Sequence, residues 1–146
     1  MTMPTHLLMG LVIGKATGNY ALATIPAVVP DIDHLYSYVK SGVIAKPKLF
    51  WVTVMDQKDP YGNQRGILHN VLFFVIVSAI LIVLFKNAGA IISLGWFSHI
   101  FLDAIDRSDY WPLYPNKRIV LHGPIAYGTR QEFLFSLILI VLFFVV

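Results

Sequence analysis

The longest uncharged apolar stretch of the chain, Ile67 to Phe85, limits the available folds more than any other feature of the sequence. Its 19 residues carry no formal charge unless His69 is protonated. As an α-helix it would extend roughly 28 Å at about 1.5 Å per residue, close to the ~30 Å thickness of the hydrocarbon core of a bilayer. The stretch therefore predicts a helix that crosses a membrane.

Two more segments and the overall composition point the same way. Asn87 to Leu102 and Phe133 to Val146 are similarly apolar, and as helices they would extend roughly 24 Å and 21 Å. Hydrophobic residues make up 57% of the chain and charged residues 13%, whereas about a quarter of a soluble domain is charged. We expect an all-α integral membrane protein that forms a single domain over residues 1–146.

The first apolar region, His6 to Val29, contains the turn-forming residues Gly18 and Asn19 at its middle. We predict two short antiparallel helices, at about Pro4 to Thr17 and Tyr20 to Val29, and a single membrane span is the alternative. With the three longer membrane helices, this N-terminal hairpin predicts a bundle of about five helices.

Three further segments connect these regions. Leu35 to Met55 mixes aromatic residues with lysines, which is typical of a segment at the lipid headgroup level. Asp56 to Gly66 and Asp106 to Arg130 are predicted to be loops, the second rich in Tyr, Trp and Pro.

The basic residues indicate an orientation. The net charge is +3, and all the basic residues except Lys15 and Lys86 lie either between the first and second apolar segments or between the third and last. These are Lys40, Lys46, Lys48, Lys58, Arg65, Arg107, Lys117, Arg118 and Arg130. By the positive-inside rule they face the cytoplasm. We therefore expect a plasma (inner) membrane location, membrane lipids as partners and no nucleic acid, and we leave the oligomeric state open.

When the hairpin is included, most polar side chains of the apolar segments fall at the cytoplasmic end of the bundle. They are His6, Asp31, Asp33, His34, His69, His99, Asp103 and Glu132. Ionisable groups in apolar segments are costly and usually mark function. The chain has no cysteine, so a metal ion would be held by nitrogen and oxygen. The pattern predicts a divalent metal site, with Zn²⁺ expected first and Mn²⁺ or Fe²⁺ as alternatives.

The spacing of His99 and Asp103 supports this prediction, because residues four apart share one face of a helix. Ordinary structural roles are the alternative. Asp31 and Asp33 could bound a helix, and Asp103 could pair with Arg107. His6 could be an interfacial side chain. His122 lies outside the pattern and is predicted to be a loop residue.

Two further residues are candidates for catalysis. Arg65 could hold an anionic substrate group or contact lipid headgroups. Glu132 could serve as a general base, orient a ligand histidine, or interact with a helix N-terminus.

The order of these motifs resembles the YdjM-like, LexA-binding, inner-membrane-associated family of membrane-bound metal-dependent hydrolases. The similar motifs are Thr5-His6-Leu7-Leu8, Pro30-Asp31-Ile32-Asp33-His34, Arg65-Gly66-Ile67-Leu68-His69 and Ser98-His99-Ile100-Phe101-Leu102-Asp103, followed by Pro115 and Glu132. Two stretches depart from the family. It usually has His-Arg-Gly-x-Thr-His-Ser where this chain has Gln64-Arg65-Gly66-Ile67-Leu68-His69-Asn70. After Asp103 it tends to have a threonine and then a glycine, where this chain has Asp106 and Asp109 nearby.

The resemblance implies a membrane-bound, metal-dependent hydrolase. Our leading hypothesis is that one or two divalent ions lower the pKa of a bound water, which then attacks a phosphoester or similar bond. The expected substrate is phosphorylated or lipid-like, with a polar headgroup. His6, Asp33, His69, His99 and Asp103 would bind metal directly, Asp31 and His34 would bind it or orient other ligands, and Glu132 would accept the proton. The competing interpretation is a non-enzymatic metal-binding membrane scaffold or an anchor for a cytoplasmic regulator.

Overall fold

The computed structural model describes residues 1–56 and 65–146, and this part of the chain is helical. It has seven α-helices, three 3₁₀ turns and no strand, only two isolated bridges. The helices are α1 (Met3–Thr17), α2 (Tyr20–Val28), α3 (Ile32–Lys40), α4 (Pro47–Met55), α5 (Val71–Phe85), α6 (Asn87–Ala104) and α7 (Arg130–Val145).

The N-terminal apolar region forms the predicted hairpin. Gly18 ends α1 in the left-handed conformation, with φ 71°, which glycine adopts without steric cost. Asn19 then begins α2, because its side chain accepts a hydrogen bond from the Leu22 amide at 3.1 Å. The hairpin prediction is confirmed to within a residue at each end, and the single-span alternative is wrong.

Helix α6 lies at the centre of the fold and packs against α1, α2 and α5. Its contact with α2 is close, because a Cβ atom added at Gly95 would overlap the carbonyl oxygen of Ala23. Trp96, on the same helix, is buried and packs against residues of α5 such as Phe73 and Phe74. This packing places one buried end of α6 beside the beginning of α1 and the end of α2.

The prediction of an integral membrane bundle with three membrane-crossing helices is wrong. Across residues 1–56 and 65–146, no helix is both long enough and apolar enough to cross a membrane. The number of helices also differs, since α3 and α4 form where a headgroup-level segment was expected.

The longest predicted span is shortened by its own polar residues. Ile67–His69 forms a 3₁₀ turn, and Asn70 is extended, with φ −78° and ψ 121°. The Asn70 side chain accepts a hydrogen bond from the Phe73 amide at 2.9 Å, so that it caps α5. Helix α5 therefore has 15 residues, and the turn before it carries His69 into the protein interior.

The segment from Asp106 to the start of α7 is irregular, as predicted. Isolated bridges pair Asp106 with Ile125 and Tyr110 with Leu121. The loop predicted over Asp56 to Gly66 lies largely outside the described residues.

Candidate metal centre

Four histidines from four different elements meet at the buried end of α6. His6 belongs to α1, His34 to α3, His69 to the 3₁₀ turn before α5 and His99 to α6. His6, His69 and His99 are at most 1% exposed, and His34 is half-buried. The rings of His6 and His99 stack at 3.9 Å between centroids, and His69 lies edge-on to His99 at 5.0 Å.

Asp31 joins this group from the turn between α2 and α3. Its Oδ1 atom lies 3.7 Å from His34 Nε2 and 3.8 Å from His99 Nε2. Burial, with a contribution from the neighbouring Asp103 charge, raises the pKa of the Asp31 carboxyl. A bound cation would oppose that shift.

Asp103, one turn after His99, also contacts the cluster. Its Oδ2 atom is 3.3 Å from His69 Nε2 and 3.9 Å from His99 Nε2. Its Oδ1 atom is 3.4 Å from His6 Nε2. The i, i+4 pair predicted from the sequence therefore does face one cluster.

Within the described residues, three overlapping groups could each hold a divalent ion. In each group the ligand atoms lie within 4.8 Å of one another. The groups are His6–Asp31–His99, Asp31–His34–His69 and His69–His99–Asp103.

The residues present fit a metal ion, because several buried polar atoms of the cluster lack a hydrogen bond. His6 is fully buried, yet neither Nδ1 nor Nε2 has a hydrogen-bond partner. The Oδ2 atom of Asp31 is also buried without one. Buried polar atoms are costly unless something compensates them, and imidazole nitrogens and carboxylate oxygens are the atoms that Zn²⁺, Mn²⁺ and Fe²⁺ bind.

Two of the histidines are oriented through their Nδ1 atoms. Nδ1 of His99 lies 2.8 Å from the carbonyl oxygen of Ala27, to which it must donate. Nδ1 of His69 lies 3.1 Å from Asp33 Oδ2. The two Nε2 atoms are left facing each other at 3.1 Å, an arrangement in which an outer hydrogen bond fixes the ring and leaves the inner nitrogen for metal.

Asp33 lies behind His69 and belongs to none of the three groups. Its Oδ2 atom also accepts hydrogen bonds from the amides of Gly66 at 3.0 Å and Leu68 at 2.9 Å. The structure therefore places Asp33 where it orients a histidine, whereas the sequence predicted a direct ligand.

Arg65 is buried against Asp103. Its Nε donates to Asp103 Oδ2 at 2.7 Å, Nη2 to Ser108 Oγ at 3.0 Å and Nη1 to the Asp109 carbonyl oxygen at 2.8 Å. All three guanidinium nitrogens of Arg65 therefore donate to protein groups, so Arg65 holds Asp103 and the loop that follows it in place.

The protonation states of two residues suit metal binding. Burial alone would raise the pKa of Asp103, but Arg65 and the α-ammonium of Met1, 2.9 Å from Oδ1, hold it well below its usual range. Burial and the neighbouring His6 lower the pKa of His99 well below its usual value. Metal ligands must be deprotonated, and these two residues already are at neutral pH.

His69 behaves differently. Burial opposes its protonated form, but hydrogen bonds to Asp103 and Asp33 outweigh burial and raise its pKa. Binding of a metal ion at Nε2 would displace the proton that the pair with Asp103 retains.

Glu132 lies at the start of α7, outside the three groups. Its Oε1 atom accepts hydrogen bonds from the Thr2 amide at 2.6 Å, the Thr2 hydroxyl at 2.8 Å and the Thr5 hydroxyl at 2.7 Å, and Oε2 accepts one from the Gly128 amide at 2.7 Å. Burial would raise its pKa, but these hydrogen bonds lower it. Its catalytic role stays a prediction, and a lowered pKa weakens Glu132 as a proton acceptor.

Sequence reasoning missed two residues that support the centre. Asp106 is fully buried, and its Oδ1 accepts hydrogen bonds from the amide and hydroxyl of Ser108. The Tyr110 hydroxyl donates to the His69 carbonyl oxygen at 2.6 Å. The Asp-x-Ser spacing is typical of a local side-chain turn and could have identified Asp106, whereas the role of Tyr110 had no sequence signal. His122 lies in the irregular segment, as predicted, and it is exposed.

A cavity of about 460 Å³ opens beside the centre. Asp31 and His34 lie on its wall, and Tyr38, Phe50 and Val54 contribute apolar surface. The cavity is large enough for a small ligand, and it brings that ligand to the histidine cluster.

Comparison with known proteins assigns the family. No curated protein and no solved structure matches the chain. A family model described as YdjM inner membrane protein matches residues 1–146, which confirms the resemblance of the sequence motifs. The protein therefore belongs to the YdjM inner membrane protein family.

Proposed function

We propose that this protein is a metal-dependent hydrolase that works at the inner membrane. The observation that carries the proposal is the state of His6. Its imidazole is fully buried, stacked on His99, and without a hydrogen bond at either nitrogen. Nε2 of His6 lies 3.4 Å from Asp103 Oδ1, but the ring makes no hydrogen bond, and a cation bound to it would compensate the cost of burying it.

A bound divalent ion supplies Lewis acidity and lowers the pKa of water near it. The protein contributes the rest. Histidine nitrogens together with the carboxylate of Asp31 or of Asp103 would bind the ion. Asp33 and the Ala27 carbonyl oxygen hold His69 and His99 in position. We expect Zn²⁺ first, because imidazole and carboxylate ligands suit it, with Mn²⁺ and Fe²⁺ as alternatives.

The cavity supports a substrate that has both an apolar part and a polar head. Tyr38, Phe50 and Val54 would contact the apolar part, and the reacting bond would lie at Asp31 and His34. A lipid-like phosphoester meets this description, and it is the substrate class to test first. Direct catalytic roles for Glu132 and Arg65 stay predictions.

The inner-membrane part of the proposal rests on the family description and on exposed basic residues near the cavity. Lys40, Lys46 and Lys48 are exposed, and their segment also carries Tyr38 and Phe50 of the cavity wall. Lysines in this position favour the anionic lipids of the cytoplasmic leaflet. Flotation with vesicles tests this, since binding should need anionic lipid and weaken in high salt.

The enzyme is tested by measuring metal content and hydrolysis together. Purified protein is loaded with Zn²⁺, Mn²⁺ or Fe²⁺ and assayed on bis-p-nitrophenyl phosphate and on phosphatidic acid in mixed micelles. We expect metal-dependent turnover that His99→Ala abolishes and the exposed control His122→Ala retains. Bound metal without hydrolysis of phosphoesters or carboxyl esters would favour a metal-binding scaffold, and failure to bind metal would overturn both interpretations.

A further inference from the structure

We propose that the centre holds two divalent ions, bridged by the carboxylate of Asp31. One ion is bound by His6 and His99, and the other by His34 and His69. This inference rests on the proposed metal-dependent function, but it concerns which residues bind each ion and is tested without measuring hydrolysis.

The first step is a count of available nitrogen atoms. Nδ1 of His99 is engaged by the Ala27 carbonyl oxygen, and Nδ1 of His69 by Asp33. Each of these histidines therefore offers only Nε2 and can serve one ion. The three candidate groups cannot all be filled at once.

The second step asks which groups are compatible. The group His69–His99–Asp103 shares one histidine with each of the other two groups. An ion bound by His69, His99 and Asp103 would use both shared histidines, so neither of the other two groups could then hold an ion. The groups His6–Asp31–His99 and Asp31–His34–His69 share only Asp31, and a carboxylate has two oxygens and can bridge two ions.

The third step compares the polar atoms that each arrangement satisfies. A single ion at His69–His99–Asp103 leaves both nitrogens of His6 and the Oδ2 atom of Asp31 buried without a hydrogen bond. With two ions bridged by Asp31, both His6 and Asp31 would be metal ligands. The principle that buried polar groups are paired therefore favours two ions.

Charge supports the same choice. Asp103 already faces the Arg65 guanidinium at 2.7 Å and the Met1 α-ammonium at 2.9 Å. Asp103 pairs with these two cations in addition to imidazoles, whereas within the described residues the ion pairs of Asp31 are only with the imidazoles of His34 and His99. Asp31 and His34 also line the cavity, so the bridged pair of ions would face the substrate, as in two-metal hydrolases.

The test is metal content and electron paramagnetic resonance of Mn²⁺-loaded protein, with folding checked by circular dichroism. Wild type should bind two ions per chain and give the many-line spectrum of exchange-coupled manganese. His34→Ala and His6→Ala should each bind one ion and give the six-line spectrum of isolated Mn²⁺. His122→Ala, the matched control, should behave as wild type.

One ion per wild-type chain, unchanged in His6→Ala and His34→Ala, would overturn the proposal in favour of the His69–His99–Asp103 group. If the variants do not fold, the wild-type ion count and spectrum decide by themselves. Two coupled ions without hydrolysis would contradict the proposed enzyme and leave the bridged centre standing. Hydrolysis by protein that holds one uncoupled ion would contradict the bridged centre and leave the proposed enzyme standing.

Discussion

The imidazole rings of His6 and His99 stack with their centroids 3.9 Å apart and their planes inclined by 16°. The two residues come from α1 and α6, helices that are distant in sequence. Because neither nitrogen of His6 has a hydrogen-bond partner, a metal ion beside the stacked rings would join the two helices. Metal binding should therefore stabilise the folded chain.

The first prediction is a thermal shift on adding metal. A ligand that binds only the folded state at 100 times its Kd stabilises it by about 2.7 kcal/mol, which for a chain of this size raises Tm by roughly 5–10 °C. Differential scanning calorimetry with Zn²⁺ or Mn²⁺ measures the shift. His99→Ala should lose most of it and His122→Ala should keep it, whereas a wild-type Tm insensitive to metal would contradict the site.

The second prediction concerns Asp33, which holds His69 through Nδ1. Asp33→Asn should weaken metal affinity by about 10–100-fold, the usual cost of losing such an orienting carboxylate. Calorimetric titration measures the affinity, and Asp109→Asn, at an exposed site, is the control. The number of ions at saturation should not change. A lower number would return Asp33 to the direct role predicted from sequence.

The third prediction separates the two roles considered for Arg65. Arg65→Met leaves the buried Asp103 carboxylate without its guanidinium, and losing one partner of a buried ion pair costs about 3–5 kcal/mol. Denaturant unfolding should show this loss. Arg107→Met, at an exposed arginine, should change stability by no more than about 0.5 kcal/mol. Unchanged stability of Arg65→Met combined with a raised KM would indicate substrate binding instead.

The fourth prediction tests the close approach of α2 and α6. A methyl group at Gly95 would overlap the Ala23 carbonyl oxygen, so Gly95→Ala should destabilise the fold by about 1–3 kcal/mol. Metal affinity should also fall, because the bond from His99 to Ala27 crosses the same contact between helices. Leu94→Met, at the neighbouring exposed position, is the control. Equal metal affinity in the two variants would show that the helix contact does not position His99.

The fifth prediction is a pH dependence caused by Glu132. Its pKa is lowered in the folded state, so its contribution is complete above the unfolded pKa, near 4.5, and is lost as pH falls through the folded pKa. Glu132→Gln should be less stable than wild type by about 1–3 kcal/mol at pH 7, since hydrogen bonds to a charged acceptor are lost.

Urea unfolding from pH 7 to pH 3 measures the free energy of unfolding of wild type and Glu132→Gln. The difference between the two free energies should shrink below pH 4.5. A difference that stays constant over this range would mean that the Glu132 charge is not what the threonine and glycine donors stabilise.

The extent of helix α5 could not be predicted from apolar composition alone. Asn70 was counted within a continuous span, but its side chain caps α5 at the Phe73 amide and its backbone is extended. A side-chain cap can begin a helix in the middle of an apolar stretch when tertiary contacts hold the preceding residues in a non-helical turn. Here Asp33 and the Tyr110 hydroxyl bond the backbone of that turn. Both partners are distant in sequence.

The sequence by itself determined the N-terminal hairpin, through Gly18 and Asn19, because turn and cap preferences are local. It also determined the chemistry of the candidate ligands, since a chain without cysteine offers a metal only nitrogen and oxygen.

Only the tertiary structure decided which carboxylate faces the candidate metal site and which one orients a histidine. Asp31 and Asp33 are two positions apart, yet Asp31 faces the Nε2 atoms of His34 and His99. Asp33 instead contacts Nδ1 of His69 and the backbone behind it. Arg65 donates hydrogen bonds to Asp103 and to Ser108 in the loop that follows α6. Sequence spacing tells which face of a helix a side chain lies on, but its neighbours across that face come from distant segments that only packing brings together.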